Sequence, residues 1–336
     1  MNIKDIAARA GVSISTVSRV INHTAPVKEE VRQRVEQILE ETGYRPSSLA
    51  REMQTNRTNL IGVLISVAEL DLSSIGPALN AITDELKENG YHLLLANSRF
   101  ETSEELDFLK VFQEKRVDGV IYFSPGLTAT HYSFLEKYPI PIVLVGQESG
   151  KKHLPCIVYG NTQAGAEVAE YLYGMGHRHI AMIGGPEHDK ALEIRHIGFQ
   201  DALNKHGLTP HTDQVYHGNF TMESGYAAMK QLWTTSHHKP TAVFAASDFM
   251  AVGAMAYLHE QGVRIPEDIS IVGFDDVNIS AFTHPPLTTV HTNSYGVGTL
   301  AAKVVLEVIN HKKLPVSRYV VDHQLIERKS VMRIPP

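Results

Sequence analysis

The chain has 336 residues, of which 43% are hydrophobic, and it carries 31 Lys and Arg against 37 Asp and Glu. This length suggests two or three domains, and the ordinary composition argues against a disordered or fibrous protein. The single cysteine, Cys156, cannot form an internal disulfide, and the His and Cys spacings typical of metal sites do not occur, so neither a cofactor nor a metal is expected. A polar N-terminus and the lack of an apolar run of about 20 residues favour a cytoplasmic protein.

The charge is unevenly distributed along the chain. Residues 1–57 carry nine Lys and Arg and seven Asp and Glu, a net charge of +2, whereas the remainder carries 22 and 30, a net charge of −8. A basic head on an acidic body suits a small nucleic-acid-binding module joined to a domain that must not bind DNA. A net charge of +2 is too small to identify a nucleic-acid-binding module, so the motifs in the sequence have to be considered as well.

The first 22 residues have the pattern of two short helices joined by a tight turn. Apolar residues recur at helical spacing over Ile3–Ala10, and a second helix is predicted over 15–22. Ala7 is small enough for a close crossing of the helices, Gly11 can adopt a positive φ, and Val17 supplies an apolar anchor. In such a helix-turn-helix the second helix enters the major groove of DNA.

The outward positions of this segment favour DNA contact over a generic helical hairpin. They are small hydrogen-bonding side chains and one arginine: Ser13, Ser15, Thr16, Ser18, Arg19 and Asn22. Such side chains suit phosphates and base edges. A third helix is predicted over 28–42, ended by Gly43, and 47–54 has the pattern of a short helix followed by a polar linker. Eight residues are too few for a helix that is stable alone, so 47–54 is expected to fold on DNA.

From residue 60 onward, short apolar runs alternate with helical stretches. The runs are 60–66, 91–97, 119–124, 142–145, 157–159, 180–184, 242–246, 269–274 and 287–291. Continuous Val, Ile and Leu, without alternating polar residues, are typical of strands covered on both faces in parallel sheets. The number of strands exceeds what one sheet usually holds, so the sequence predicts an α/β core of two doubly wound parallel-sheet lobes.

Polar side chains follow several of these runs: Ser66, Asn97, Ser124, Gln147, Asn161, Asp248 and Asp275. Arg195 follows a Gly-Gly-Pro turn. Ligands of parallel sheets bind beyond the carboxyl ends of the strands. Amide, hydroxyl and carboxylate groups beside one arginine suit a neutral ligand rich in hydroxyls, such as a sugar. For Asp248 a structural alternative stays open, because it precedes a predicted helix and could cap it.

The chain resembles the lactose/galactose repressor (LacI/GalR) family of bacterial transcription regulators over essentially its whole length. The resemblance rests on the runs IKDIAARAGVSISTVSRVIN, GYRPSSLAREM, LIGVLIS, GHRHIAMIGGP, PTAVFAASDFMAVGA, SIVGFDD, PPLTTV and LIERKSV. It implies a helix-turn-helix DNA-binding headpiece (1–46), a hinge helix and linker (47–59), and an effector-binding and dimerisation core similar to the type I periplasmic binding proteins (60–336). Lobe 1 of that core would comprise about 60–160 and 291–320, and lobe 2 about 161–290 and 321–336.

The function implied by the resemblance is that of a ligand-responsive repressor of a carbohydrate-utilisation operon. It would bind a pseudo-palindromic operator as a homodimer, with a small sugar or sugar-like effector controlling its affinity for DNA. A dimer is expected because the chain ends soon after LIERKS, without the leucine-heptad helix of tetrameric members. Two alternatives stay open: a regulator that needs a nucleobase corepressor or a phosphorylated partner protein, and a sugar-binding or sugar-processing protein. No enzyme is expected, because no nucleophile–base motif occurs.

The resemblance also assigns individual residues. Ile14, Ser15 and Arg19 match positions that face the bases of DNA. The hinge positions that enter the minor groove are Ser48, Leu49, Ala50, Arg51 and Met53, and Met53 stands where the family usually carries a wedging leucine. Arg195, Asp248 and Asp275 match effector-binding positions, Phe220 matches an aromatic position that stacks on effector rings, and Ser74 falls near the contribution of the first lobe. Together with the strand-end residues, the predicted effector site is Ser74, Gln147, Asn161, Arg195, Phe220, Asp248 and Asp275.

Overall fold

The computed structural model of the chain describes residues 2–22, 25–44, 57–67, 75–99, 101–124, 126–151, 153–186, 189–208, 215–236 and 238–335. It divides into two compact units, Met1–Thr58 and Asn59–Pro336. The predicted hinge residues Ser48, Leu49, Ala50, Arg51 and Met53, and the predicted effector residue Ser74, lie outside the described residues. Within the described ranges, every helix is too short or too polar to cross a membrane.

The first unit is built from three short helices, α1 (Ile3–Ala10), α2 (Ile14–Asn22) and α3 (Glu29–Thr42). Asn2 caps α1, because its side chain accepts a hydrogen bond from the backbone N–H of Lys4 at 2.9 Å. Gly11 ends α1 with a φ of 64°, which is the conformation that the sequence predicted. Ala7 and Val17 are buried in the core of this unit, so the predicted contact between α1 and α2 is confirmed.

The second unit alternates strands and helices. Its strands are β1 (Leu60–Ile65), β2 (His92–Asn97), β3 (Gly119–Phe123), β4 (Ile142–Val145), β5 (Cys156–Tyr159), β6 (Ile180–Gly184), β7 (Val215–His217), β8 (Ala242–Ala245), β9 (Ser270–Val272), β10 (Thr289–His291), β11 (Arg318–Val321) and β12 (Gln324–Ile326). Its α-helices are α4 (Gly76–Glu88), α5 (Thr102–Glu114), α6 (Ala129–Leu135), α7 (Asn161–Gly174), α8 (Lys190–Lys205), α9 (Met222–Thr235), α10 (Asp248–Glu260) and α11 (Ser294–Ile309). A short 3-10 helix, Asn278–Ala281, follows β9.

Two parallel sheets organise this unit into two lobes. Lobe 1 contains a sheet of order β11-β5-β4-β3-β1-β2, and lobe 2 contains a sheet of order β7-β6-β8-β9. In lobe 1, α4 and α11 cover one face of the sheet, where Ile82 and Val305 are buried, and α5 and α6 cover the other, where Phe112 and Leu135 are buried. In lobe 2, α7 packs against α8 and α9 packs against α10 around the second core. The predicted fold of two doubly wound lobes is confirmed.

The chain passes between the lobes from β5 to α7 and again at β10 and at β12. The strands β10 and β12 pair with each other in antiparallel register, Thr289 opposite Ile326. β10 leads from the lobe 2 sheet to α11, which packs on α4, whereas β12 leads from the lobe 1 sheet back to Ser330, whose carbonyl accepts from the N–H of Ile271 at 2.8 Å. The prediction that 287–291 is a strand of a parallel sheet is confirmed in part. Thr288 and His291 form isolated parallel bridges with Val272 and Asp275, whereas the strand pairing of β10 is the antiparallel one with β12.

The other eight predicted strands are present, with ends that differ by no more than a few residues. Three strands were not predicted: β7, β11 and β12. β11 alternates exposed and half-buried residues, and β12 is not buried at any position, so neither has the continuous apolar run of a central strand. β7 is only three residues long.

Candidate functional site

A cavity of about 460 Å³ opens where the carboxyl ends of strands from both sheets meet. Hydroxyl groups, aromatic rings and charged side chains contribute to its wall. The residues from lobe 1 and from the passage to it include Ser66, Phe123, Ser124, Tyr159, Thr292 and Ser294. Those from lobe 2 include Asn161, Asp189, Arg195, Phe220, Glu223, Ser247, Phe249 and Asp275. A cavity of this size, in which hydroxyl, amide and charged groups stand among apolar ones, suits a small organic molecule.

The side chain of Arg195 is held in the wall by three hydrogen bonds and an aromatic ring. Its Nε and Nη2 atoms donate to Oδ1 of Asn161 at 3.1 and 2.8 Å, and Nη1 donates to the carbonyl of Ala246 at 2.6 Å. The guanidinium carbon lies 3.3 Å from the ring centroid of Phe274. Burial lowers the pKa of Arg195 to about 10, although Asp275 acts against this shift, so the side chain stays protonated at neutral pH. The arrangement presents a fixed hydrogen-bond donor to the cavity.

Two glycines allow the helices that carry Arg195 and Asn161 to approach closely. A Cβ atom on Gly165 of α7 would lie 2.1 Å from the carbonyl oxygen of Arg195, and one on Gly198 of α8 would lie 2.1 Å from that of Thr162. Neither backbone oxygen could move without shifting a helix. The close contact of α7 and α8 therefore sets the distance between Asn161 and Arg195.

Asp275 reaches the cavity from the segment that follows β9. Its backbone has a φ of 104°, its N–H donates to the carbonyl of Val290 at 2.9 Å, and it lines the cavity wall. Burial raises the pKa of Asp275 to about 7, and the charge of Arg195 acts against this rise. Phe220, also on the wall, has a φ of 69°. A non-glycine residue in this region costs about 1–3 kcal/mol and is common at ligand sites.

Asp248 does not belong to the wall. Its carboxylate accepts hydrogen bonds from the N–H of Val277 at 2.9 Å, the hydroxyl of Ser280 at 2.6 Å and that of Thr289 at 2.5 Å. Burial raises the pKa of Asp248 to about 6 against the effect of these hydrogen bonds. The structure thus gives Asp248 the structural role of joining α10 to the segment after β9 and to β10.

Gln147 is also absent from the wall, although its neighbour Gly146 lines it. The side-chain amide of Gln147 donates to the carbonyl of Glu148 at 3.2 Å instead. Four predicted effector residues are therefore brought together at the cavity: Asn161, Arg195, Phe220 and Asp275. Two other strand-end residues, Ser66 and Ser124, join them.

Sequence reasoning missed several wall residues. They include Phe123, Tyr159, Asp189, Glu223, Ser247, Phe249, Thr292 and Ser294. Phe123 and Tyr159 are the last residues of β3 and β5, so inspection of the final strand residue, and not only of the residue after it, would have found them. Ser124, the residue after β3, is buried and contributes to the same wall.

The first unit presents the predicted DNA-contacting residues around the start of α2. Ser13, Ile14, Ser15 and Arg19 are exposed, whereas Thr16 and Ser18 are half-buried. Oγ of Ser13 accepts from the N–H of Thr16 at 3.2 Å, which caps the helix. Ile14 is 44% exposed, an apolar side chain in contact with water at the first turn of the helix. Asn22 is the last residue of α2.

Comparison with known proteins finds a family match in each of the two units. Residues 2–47 match the model of bacterial regulatory proteins of the lacI family, and residues 169–331 match that of periplasmic binding protein-like domains. The repressor PurR of Pasteurella multocida is 34% identical over 330 residues, covering 98% of both chains. The transcriptional regulator RegA of Clostridium saccharobutylicum is 32% identical over 332 residues, covering 98% of this chain and 99% of its own.

Solved structures of regulators are similar over almost the full length. The Lac repressor dimer bound to operator and the anti-inducer ONPF has a TM-score of 0.89 and 26% identity, with 99% of each chain covered. The complex of the regulator CelR with cellobiose has a TM-score of 0.75 and 29% identity, with 98% of this chain and 99% of the other covered. These relatives are transcription regulators rather than enzymes. The chain belongs to the LacI family of bacterial regulatory proteins and is a transcription repressor of that family.

Proposed function

We propose that the protein represses transcription as a homodimer on a pseudo-palindromic operator, and that a small uncharged effector bound in the cavity controls its affinity for DNA. The headpiece would comprise residues 1–46, the hinge 47–59 and the effector-binding core 60–336. The observation that carries the effector proposal is the fixed guanidinium of Arg195, which faces the cavity together with Asp275. A donor and a carboxyl group side by side suit the hydroxyls of a sugar.

The charges of the wall argue against a phosphorylated effector. Among the described residues that line the cavity, Arg195 is the one Lys or Arg, whereas Asp189, Glu223 and Asp275 are acidic. Three N–H groups of Arg195 are already engaged by Asn161 and Ala246. A phosphate needs several unengaged cationic donors, so an uncharged molecule fits this wall better.

A nucleobase is the second candidate for the effector. Phe123, Phe220 and Phe249 contribute three aromatic rings to the wall, and a planar base stacks on such rings. The apolar face of a sugar ring also packs against them. A regulator that responds to a nucleobase would use the same cavity with Arg195 and Asp275 at the polar edge of the base.

DNA would be read by α2 and by the hinge. We propose that Ile14, Ser15 and Arg19 face base edges, where Arg19 can make a bidentate contact to guanine. Ser13, Thr16, Ser18 and Asn22 would contact phosphates or neighbouring bases. From the sequence alone, Ser48, Leu49, Ala50, Arg51 and Met53 would enter the minor groove, with Met53 as an apolar wedge between base steps.

The test of the effector proposal is a thermal-unfolding screen with matched compounds. Galactose, glucose, cellobiose, adenine and guanine are compared with galactose 6-phosphate, glucose 6-phosphate and the monophosphates AMP and GMP. A compound at a hundredfold excess over its Kd stabilises the native protein by about 2.7 kcal/mol, which raises Tm by several degrees. We expect an uncharged compound to raise Tm and to change operator affinity in a gel-shift assay.

Two variants decide whether the compound binds in the cavity. Arg195→Met should lose the Tm rise, because the fixed donor is gone. Arg178→Met is the matched control, since Arg178 lies on Tyr173 outside the cavity wall, and it should keep the rise. A larger Tm rise with a phosphorylated compound than with its parent, or no rise with any uncharged compound, would contradict the proposal.

A further inference from the structure

Asp275 and Asp276 are two consecutive non-glycine residues with positive φ, 104° and 55°. Each is in a region that L-residues adopt at a cost, so contacts elsewhere must hold this stretch of backbone. Asp275 lines the cavity, whereas Asp276 is absent from its wall. The carboxylate of Asp276 instead contacts other protein side chains.

Both oxygens of the Asp276 carboxylate have cationic or imidazole partners. Oδ1 accepts from Nη2 of Arg328 at 2.6 Å, and Oδ2 lies 3.2 Å from Nδ1 of His291. Arg328 is held in turn, since its Nη1 donates to the carbonyl of Leu287 at 2.8 Å. The side chains of Asp276 and Arg328 are 18% and 20% exposed, so this charge-assisted bond is largely shielded from water.

The partners of Asp276 lie in β10 and just after β12, the two paired strands that connect the lobes. His291 is the last residue of β10, and Arg328 follows β12, which pairs with β10. The N–H of Arg328 donates to the hydroxyl of Thr288, just before β10. The N–H of Asp275 itself donates to Val290 within β10. Asp275 is thus connected to the strands between the lobes in two ways, through its own backbone N–H and through the side chain of Asp276.

The rest of the same segment is held by a different group. Asp248 accepts from the N–H of Val277 and from the hydroxyl of Ser280, as described above. A Cβ atom on Gly273 would lie 2.1 Å from Oδ1 of Asp248, so the backbone before Asp275 also packs directly on this carboxylate. Asp276 and Arg328 therefore hold the middle of the segment, and Asp248 holds its two sides.

We propose that Asp276 and Arg328 are positioning residues, a clamp that holds the Asp275 carboxyl in the cavity wall and ties its position to the strands connecting the lobes. This inference rests on the proposed function, because it takes the cavity as the effector site. A rotation of the lobes about β10 and β12 would then shift Asp275, and a ligand that fixes Asp275 would favour one arrangement of these strands. The clamp gives the effector a direct mechanical connection to the passage between the lobes.

Amide-resolved hydrogen exchange on the full-length protein tests the clamp without any effector. In Arg328→Met and in the milder Asp276→Asn, we expect the Asp275 amide to exchange about tenfold faster, the effect of losing one charge-assisted hydrogen bond. The Val277 amide, which is held by Asp248, should stay as slow as in the wild type. Arg318→Met is the matched control, because it breaks the ion pair of Arg318 with Glu148 in lobe 1 and should leave both amides unchanged.

A pH profile separates positioning from a general loss of stability. Asp275→Asn is made in the wild-type and clamp-variant backgrounds, and the gain in Tm that it produces is measured from pH 5 to pH 8. The charged or titratable groups that face Asp275 are Arg195, Asp189, Asp248 and Tyr159, while Asp276 faces His291, Arg328 and Asp248. In the wild-type background this gain in Tm should increase with pH. If the clamp keeps Asp275 out of water, the increase with pH should be smaller in both clamp variants.

Direct charge effects give a different pattern. Loss of the positive Arg328 would disfavour the ionised Asp275 and enlarge the pH-dependent gain, whereas loss of the negative Asp276 would reduce it. Opposite changes in the two variants, or an Asp275 amide that exchanges no faster than in the wild type, would overturn the clamp. Operator binding by the wild-type protein is measured separately. If the wild type does not bind an operator, the proposed function is wrong, but the hydrogen-exchange and pH measurements still test the clamp.

Discussion

Asp248 and Asp275 follow neighbouring strands of the same sheet, and burial raises the pKa of both carboxyls. Their chemistry nevertheless differs. Asp248 accepts hydrogen bonds from three protein groups, which satisfy a buried carboxylate. Asp275 is turned to the cavity, where a ligand can supply partners. The two carboxylates thus differ in their partners, because that of Asp248 is bonded within the protein and that of Asp275 faces the cavity.

We expect the stability of the protein to depend on the ionisation of Asp275. Its pKa is about 7 in the folded protein and 3.8 in the reference state, so the protonated form is favoured by folding. The associated stabilisation is complete below pH 4 and is lost as the pH rises to 7, with a total on the order of 4 kcal/mol. Asp275→Asn should therefore be more stable than the wild type at pH 8 and gain little at pH 4.5, as measured by urea unfolding.

Asp268→Asn is the control for this pH dependence. The pKa of Asp268 is lowered to about 2 by hydrogen bonds from Arg264, so this exposed carboxylate is ionised throughout the range and its loss should not produce a gain that grows with pH. A gain for Asp275→Asn that is the same at pH 4.5 and pH 8 would show that the carboxyl titrates normally.

The position of Arg195 is decided by the packing of two whole helices. α7 carries Asn161 at its start and α8 carries Arg195, and the small side of each helix at Gly165 and Gly198 faces the backbone of the other. Side chains at these positions would separate the helices. The site therefore depends on residues that do not touch the cavity.

We expect Gly198→Ala to destabilise the protein and to weaken effector binding. The new Cβ would lie 2.1 Å from the Thr162 carbonyl oxygen, so α8 must shift, at a cost of about 1–3 kcal/mol. Gly174→Ala in α7 is the control, because its Cβ would meet nothing within 4 Å. It should be neutral or stabilising by about 0.5–1 kcal/mol, since alanine favours a helix over glycine. Equal Tm values for the two variants would contradict the close-packing argument.

Exposed apolar side chains on lobe 2 bear on the assembly of the whole molecule. Phe282 is 77% exposed and follows the 3-10 helix that contains Ile279, which is 38% exposed. A large exposed aromatic ring is typical of a surface that binds another protein. In the proposed homodimer the partner is a second copy of the chain, because two headpieces would read the two half-sites of the proposed operator.

We expect Phe282→Asp to weaken the dimer at least tenfold, since it places a charge in the apolar contact. Sedimentation equilibrium should show the wild type at twice the 37.2 kDa chain mass and the variant shifted towards a single chain at micromolar concentration. Val316→Asp, at a residue that is 49% exposed in lobe 1, should leave the assembly unchanged. An unaltered mass for Phe282→Asp would place the dimer contact elsewhere.

Local sequence signals predicted much of the fold. The apolar spacing of α1 and α2 with Gly11 between them predicted the helix-turn-helix, and continuous Val, Ile and Leu runs predicted eight strands of the two parallel sheets. These features depend on residues close together in the chain: a helix face repeats every three to four residues, and a turn needs a residue that tolerates positive φ. The strand ends also indicated four of the cavity residues, because parallel strands bring their carboxyl ends to one edge.

Only the tertiary structure decided which of those residues share the cavity. Asp248 and Asp275 have the same position after a strand, but only the contacts of Asp248 with Val277, Ser280 and Thr289 turn its carboxylate away from the wall. The antiparallel pairing of β10 with β12, and the bond between Asp276 and Arg328, join segments that lie far apart in the sequence. Local patterns carry no information about such partners, because long-range contacts are set by how the two lobes and the strands between them pack.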